Sequence, residues 1–175
     1  MKASMRVYLF RHGHAGQRDS SRWPNDDLRP LSTRGVERTR EAAEGLARFE
    51  RETAVIWSSP LTRAIQTARI LGESLDQPAS LDETDALAPG MPPDAVTGRL
   101  AKLREVEAVF LVGHEPGLGE LAGYLLFGRG DAPLPLKKAG ACALVFEGPV
   151  KAGSARLKAF LPPRVLRRIA EGQRV

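Results

Sequence analysis

The sequence predicts an α/β fold built on a mostly parallel sheet with an antiparallel edge. Short apolar runs at residues 5–10, 54–57 and 108–112 alternate with segments whose apolar residues recur at helical spacing. Such runs are typical of strands that are buried on both faces of a sheet. Towards the end of the chain, two apolar segments at 141–146 and 155–160 flank a turn rich in glycine and proline. This arrangement predicts an antiparallel pair at the sheet edge.

Four helices are predicted among these strands. Apolar and small residues on a charged background predict helices over 35–49 and 61–75. A proline near its start predicts a third helix over 93–104, and a fourth is expected over 116–127. The polar segment 19–30 contains two prolines, so we expect it to form a loop beside the end of the first strand.

Length and composition indicate one domain. The chain has 175 residues, of which 42% are hydrophobic, and this suffices for one core but not for two. We therefore expect a single domain over 1–175. Cys142 is the only cysteine, so no internal disulfide can form, and its apolar neighbours predict a buried residue. The apolar runs are too short for a signal peptide or a membrane span, which predicts a cytoplasmic protein that makes no membrane contact.

The charge pattern does not favour a nucleic-acid partner. The formal net charge is +5, but the basic residues are scattered among acids along the sequence. Aromatic residues make up only 6% of the chain and do not alternate with basic ones, as single-strand binding would require. We therefore expect a solvated basic surface and no nucleic acid.

Two of the three histidines adjoin a glycine at the end of a predicted strand. His12 stands in Arg11-His12-Gly13 after the first run, and His114 follows Gly113 after the third. Open α/β sheets bind their ligands at the carboxyl ends of such strands. The shared context favours functional roles for both histidines, and a structural histidine is the alternative at each position.

The residue types point to phosphoryl transfer. A neutral imidazole offers a nitrogen nucleophile to phosphorus, and His12 is the candidate. Arg11 beside it, and Arg63 where a strand gives way to a helix, can bind the negative charge of the transferred group. This predicts a cationic site that holds inorganic phosphate or sulfate and needs neither a metal nor another cofactor.

A metal site is the main competing interpretation. His12 and His14 are two residues apart and would face the same side if the strand continued through them. Gly13 lies between them where the strand should end, so we expect His14 to be a loop residue near the phosphate.

Several motifs resemble those of the histidine phosphatase superfamily, also called phosphoglycerate mutase-like. The similar segments are 9–13 (LFRHG), 31–35 (LSTRG), 58–68 (SSPLTRAIQTA) and 112–114 (VGH). Within the superfamily, three further segments are most similar to the SixA phosphohistidine phosphatases: 113–116 (GHEP), 137–141 (KKAGA) and 161–164 (LPPR).

The resemblance implies a three-layer α/β/α sandwich with one phosphate pocket lined by Arg11, His12, Arg63 and His114. His12 would be the nucleophile, the other three would bind phosphoryl oxygens, and His114 would stabilise charge in the transition state. The SixA group commonly has an acidic residue where this chain has His14, so the local loop chemistry differs here.

The resemblance also implies a substrate class. It predicts a metal-independent phosphatase that hydrolyses protein phosphohistidine, through a phosphohistidine intermediate, in signal transduction. Mutase-like members use a glutamate as general acid, and here Glu83 and Asp85 are the candidates, with plain surface carboxylates as the alternative. A phosphomonoesterase for a small metabolite and a phosphate-binding protein without turnover are the competing functions.

Overall fold

A six-stranded mixed sheet lies at the centre of the computed structural model, which describes residues 4–50, 54–76 and 79–172. The described strands are β1 (Met5–Arg11), β2 (Ala54–Ser58), β3 (Ser80–Glu83), β4 (Ala108–Gly113), β5 (Ala141–Phe146) and β6 (Arg156–Leu161). Their order across the sheet is β3-β2-β4-β1-β5-β6. The first four in this order run parallel, whereas β5 pairs antiparallel with both β1 and β6. The predicted parallel sheet with an antiparallel edge is confirmed.

Helices cover both faces of the sheet and complete a three-layer α/β/α sandwich. The described helices are α1 (Thr33–Ala47), α2 (Thr62–Ser74), α3 (Pro93–Leu100), α4 (Gly117–Phe127) and α5 (Pro163–Ala170). One apolar cluster packs α1, α2 and α5 against one face, and a second cluster packs α3 and α4 against the other. The expected fold class is therefore confirmed.

The central strands are buried on both faces, as their uninterrupted apolar sequence predicts. In β1, Tyr8 and Phe10 face the cluster of α1 and α2, whereas Val7 and Leu9 face the cluster of α3 and α4. Tyr8 stacks on Phe110 of β4 with their ring centroids 4.7 Å apart. The ends of β1 and β4 are thereby anchored by core packing on both sides.

The helix boundaries differ from the predicted ones for local reasons. α1 begins at Thr33, two residues early, because the hydroxyl of Ser32 caps it by accepting the N–H of Gly35 at 3.0 Å. It also ends two residues before the predicted end. α3 stops at Leu100 and does not reach residue 104, since the chain turns there and Glu105 adopts a left-handed φ of 58°. The other two predicted helices agree to within one residue.

Two elements of the structure are not predicted by the sequence. β3 lies at the sheet edge with all four residues exposed, so it carries no apolar run. α5 is amphipathic, with apolar Val165, Leu166 and Ile169 at helical spacing, but its eight residues are too short a window for the pattern to predict a helix. The predicted loop over 19–30 contains a short 3-10 helix at Asp26–Leu28, and β6 begins one residue later than expected.

Cys142 is fully buried in β5, as its neighbours predict. Burial raises the pKa of its thiol to about 12, which keeps the thiol protonated. In the described parts of the chain, no helix is both long enough and apolar enough to cross a bilayer.

Candidate active site

Three parallel strands end side by side at one edge of the sheet, and a polar residue follows each of them. His12 follows β1, His114 follows β4 and Ser59 follows β2. The N–H of His12 donates to the carbonyl of Gly113 at 3.0 Å, and that of Ser59 donates to the carbonyl of Val112 at 2.9 Å. The two imidazole rings are buried, with centroids 4.9 Å apart. Strand pairing therefore brings the two histidines together.

His12 has a fixed tautomer. Its Nδ1 lies 2.7 Å from the carbonyl oxygen of Gly13, which can only accept, so Nδ1 carries the hydrogen and Nε2 the lone pair. Burial is the main cause that lowers the pKa of His12 to about 3, and the charges of His114 and two nearby arginines act in the same direction. The imidazole is therefore neutral near pH 7, and its Nε2 is suited to nucleophilic attack.

Close packing at Gly13 fixes the backbone that carries His12. A Cβ atom at this position would collide with Oγ1 of Thr39 in α1. The N–H of Gly13 donates to Oγ1 of Thr67 at 3.1 Å, and this hydroxyl donates to the carbonyl of Arg63 at 2.8 Å. The turn after His12 is thus held between α1 and α2.

His114 is oriented by a serine. Its Nε2 lies 2.8 Å from Oγ of Ser59, a hydroxyl that can donate to or accept from this nitrogen, so the contact fixes the orientation of the ring and not its tautomer. Burial is the main cause that lowers the pKa of His114 to about 4, with the charges of Arg63 and Arg11 next. A bound phosphoryl dianion would raise the pKa of both histidines, since an opposite charge favours the protonated form.

Arg11 is held by the loop before β5. Its Nη1 donates to the carbonyl oxygen of Leu136 at 2.7 Å, and the N–H of Leu136 donates to Oε1 of Glu115 at 2.9 Å. Glu115, the residue after His114, therefore positions Arg11 indirectly, because it holds the loop at Leu136 to which Arg11 donates. Nε of Arg11 is buried and has no acceptor among the described residues, so an oxygen of a phosphoryl group can fill that position.

Arg63 lies in the first turn of α2 and is only 5% exposed. Its Nη1 donates to the backbone carbonyl of Asp26 at 2.9 Å and lies 3.5 Å from the Oδ2 atom of the same residue. Its Nε is also buried without an acceptor in the part of the chain that the structure describes. Since both arginines lower the pKa of both histidines, the four side chains share one electrostatic site.

Asp26 adjoins this site, although the sequence analysis does not single it out. Its carboxylate lies 2.8 Å from Nε of Arg29 and 3.5 Å from nitrogens of both Arg18 and Arg63. The hydrogen bond from Arg29 is the main cause that lowers the pKa of Asp26. Asp26 and Arg29 are three residues apart, a spacing that allows an ion pair within one turn and is the only local pattern in the sequence that points to Asp26. Its contact with Arg63 arises only from the fold.

The two candidate general acids are not brought into the buried cluster. Glu83, the last residue of β3, lies opposite Ser58 in the sheet register, and Asp85 follows in a short 3-10 helix. Both residues are exposed. Within the described ranges, neither carboxylate forms a hydrogen bond or an ion pair.

His14 lies on the surface, apart from the buried His12. β1 ends at Arg11, so the alternation that would place both histidines on one side of a strand does not extend to them. Nδ1 of His14 accepts the N–H of Gly16 at 3.0 Å. Among residues 4–50, 54–76 and 79–172, no group of three or more His, Cys, Asp or Glu side chains is placed to hold a metal ion.

The fold, with its cluster of two histidines and two arginines, places the chain in a known class of phosphatases. A sequence model of the histidine phosphatase superfamily (branch 1) matches residues 7–88. An uncharacterized protein of Picosynechococcus is 38% identical over 161 residues, which cover 89% of this chain and 90% of that protein. Phosphohistidine phosphatase SixA of Escherichia coli is 32% identical over 127 residues, covering 71% of this chain and 76% of SixA.

Solved structures agree with this assignment. A structure of the protein histidine phosphatase SixA complexed with tungstate matches with a TM-score of 0.79 at 26% identity, covering 93% of this chain and 99% of that chain. The chain therefore belongs to branch 1 of the histidine phosphatase superfamily, and it is a phosphatase similar to SixA.

Proposed function

We propose that this phosphatase hydrolyses phosphohistidine on a protein, through a phosphoenzyme formed at His12. The observation that carries the proposal is the contact between Nδ1 of His12 and the carbonyl of Gly13. It leaves Nε2 with its lone pair, in a buried site that two arginines make positive. The similarity to SixA supports the substrate class.

In the first step, Nε2 of His12 attacks phosphorus and forms a new P–N bond. The bond from phosphorus to the substrate imidazole breaks, and that imidazole leaves with the electron pair and takes up a proton. Nε–H groups of Arg11 and Arg63 bind the phosphoryl oxygens, where charge is spread in the transition state. His114, whose pKa rises beside the dianion, adds a further donor.

In the second step, water attacks phosphorus and the P–Nε2 bond breaks. Inorganic phosphate leaves, the proton of the attacking water is released, and Nε2 of His12 regains its lone pair. The hydrogen bond from Nδ1 to Gly13 keeps the ring in the same orientation through both steps. Every group in this cycle belongs to the cluster of histidines and arginines described above.

The leaving group supports phosphohistidine over a phosphate ester. An imidazole has a pKa near 6.5 and is readily protonated at neutral pH, whereas an alkoxide leaves only with help from a proton donor. Glu83 and Asp85, the two candidate donors, lie exposed at the end of β3 and beyond it. A phosphohistidine substrate therefore places the smaller demand on this site.

A substrate screen tests the proposal. The purified enzyme is assayed with a phosphohistidine peptide, the matching phosphoserine peptide and a set of sugar phosphates, each in the presence and absence of EDTA. We expect the highest kcat/KM on phosphohistidine, no loss with EDTA, and competitive inhibition by phosphate or vanadate. A clear preference for a sugar phosphate would replace the proposal with a phosphomonoesterase for a small metabolite, and dependence on zinc would revive the metal interpretation.

A further inference from the structure

A strongly basic groove lies beside the candidate active site. It has a volume of about 510 Å³ and runs between the start of α1, the loop before β5 and the start of α5. Six cationic side chains line it, and no carboxylate of the described residues does. These side chains are Arg34, Arg38, Lys137, Lys138, Arg164 and Arg167. The sequence shows only scattered basic residues, and it is the fold that gathers them.

Most of this positive charge is not neutralised within the protein. Arg167 lies 3.6 Å from the carboxylate of Glu41 on α1. The other five cations form no ion pair in the described part of the chain. The groove cations also act on their surroundings: after burial, which is the main cause, the charges of Lys138, Arg29 and Arg34 lower the pKa of His14 in the groove lining. A surface of this kind attracts a ligand that carries several negative charges.

The groove shares a wall with the nucleophile's backbone. Ala139, which lines the groove, donates its N–H to the carbonyls of Arg11 at 3.1 Å and His12 at 3.3 Å. His14, two residues after His12, also lines the groove and is exposed. The groove therefore borders the backbone of the turn that carries His12, while its lining does not include the side chains of the four site residues.

We propose that the groove receives an acidic stretch of the phosphoprotein substrate, next to the phosphohistidine that enters the site. This inference rests on the proposed function and adds the feature by which the enzyme recognises its protein substrate. The cations come from three separate segments and spread along the groove, which suits an extended acidic chain better than one compact anion. The lining contains no Phe, Tyr or Trp on which a nucleic-acid base could stack, which favours a peptide.

The test compares two phosphohistidine peptides, one with glutamates flanking the phosphohistidine and one with glutamines in their place. We expect the wild-type enzyme to favour the glutamate peptide about tenfold, mainly through KM, since exposed ion pairs contribute modestly and add up over several contacts. The preference should shrink as salt is added, because salt screens exposed charges.

A charge-reversal pair isolates the groove. Arg38→Glu with Arg164→Glu should abolish the preference while kcat/KM on an aryl phosphate and on the glutamine peptide stays unchanged. The matched control is Lys102→Glu with Lys158→Glu, two exposed cations outside the groove lining whose reversal alters the net charge by the same amount. The control should keep the preference. Equal kcat/KM for the two peptides with wild-type enzyme, or equal losses in both variant pairs, would overturn the groove proposal.

A binding assay separates failure of the groove from failure of the proposed function. If the wild-type enzyme turns over an aryl phosphate but neither phosphohistidine peptide, the proposed substrate class is wrong. In that case, the affinity of the enzyme for the unphosphorylated glutamate peptide, measured by fluorescence anisotropy, tests whether the groove binds an acidic peptide. Binding that the Arg38/Arg164 pair loses and the Lys102/Lys158 pair keeps supports an acidic docking site. Absence of binding, or tighter binding of a single-stranded oligonucleotide at the same residues, overturns it.

Discussion

Oγ of Ser59 lies 2.8 Å from Nε2 of His114, so the end of β2 orients a side chain at the end of the neighbouring β4. Both residues are buried, and the contact joins positions that are 55 residues apart in the sequence. By contacting Nε2, the serine fixes the orientation of the buried imidazole ring. Ser59 is therefore expected to act on catalysis through His114.

Ser59→Ala should lower kcat on an aryl phosphate about tenfold, because His114 loses the hydrogen-bond partner that orients its ring. The variant also loses the hydrogen bond that Oγ of Ser59 accepts from the N–H of Leu61 at 3.3 Å, and each lost bond should reduce the free energy of unfolding by about 1 kcal/mol. Ser58→Ala is the matched control, since Ser58 is equally buried but donates to the carbonyl of Ser59 at 2.9 Å and does not contact the histidine. If the two variants lose activity equally, the effect comes from stability and not from His114.

His12→Ala should remove nearly all phosphatase activity while the fold is retained, because the attacking Nε2 atom is lost. The readout is kcat on an aryl phosphate, together with acid-quench trapping of the phosphoenzyme in the wild-type protein. His14→Ala, on the exposed side of the same turn, should keep its activity. Retention of more than about a tenth of the wild-type kcat, a barrier change under about 1.4 kcal/mol, would show that His12 is not the nucleophile.

Glu115→Ala should weaken phosphate binding through Arg11, which Glu115 positions by way of Leu136. We expect the inhibition constant for inorganic phosphate and the KM for an aryl phosphate to rise about tenfold, with a smaller change in kcat. Glu115→Gln keeps an oxygen that can accept the N–H of Leu136 and should restore most of the affinity. If the glutamine variant is as impaired as the alanine variant, the charge of Glu115 matters and its hydrogen bond does not.

The sequence predicts the parts of the fold that rest on local patterns. The buried runs of β1, β2 and β4 are visible because each strand contains an uninterrupted run of four or more apolar residues. β3 is missed because an exposed edge strand needs no apolar face, and α5 because its amphipathic pattern extends over only eight residues. Length and burial of an element therefore decide whether its sequence reveals it.

Some features of the candidate site can likewise be predicted from local sequence, whereas others depend on contacts between distant residues. His12 and His114 stand directly after predicted strands, so their approach follows from the sheet. The groups that orient the site act across the fold: Ser59 on His114, Asp26 on Arg63, and the carbonyl of Leu136 on Arg11. The partners in each pair lie between 37 and 125 residues apart. No spacing rule along the chain could connect them.

The protein should lose stability as the pH falls from about 7 towards 4. Burial lowers the pKa of His12 to about 3 and that of His114 to about 4, whereas an unfolded histidine titrates near 6.5. Between these values the unfolded chain binds more protons, so stability falls with pH by up to about 1.4 kcal/mol per pH unit for each histidine. Urea unfolding at a series of pH values measures this slope.

A double variant tests whether the two histidines cause this pH dependence of the free energy of unfolding. In His12→Ala with His114→Ala, the loss of stability between about pH 7 and 5 should be much shallower than in the wild type. Burial raises the pKa of Glu115, which acts in the opposite direction, but this carboxyl is present in both proteins and cancels in the comparison. Parallel slopes in the two proteins would mean that the histidines are not buried in neutral form.

Glu83→Gln and Asp85→Asn should have little effect on hydrolysis of a phosphohistidine peptide. Both carboxylates are exposed, and the departing imidazole can take its proton from water near neutral pH. On a phosphoserine peptide, where the alkoxide needs a donor, kcat/KM should already be low in the wild type and should fall further if either carboxylate assists. Steady-state kinetics of the three proteins on both peptides provides the comparison, with Asp94→Asn as a control carboxylate in the first turn of α3. A loss of more than about a hundredfold on phosphohistidine in either variant would identify that residue as the general acid and show that leaving-group chemistry does not explain the substrate preference.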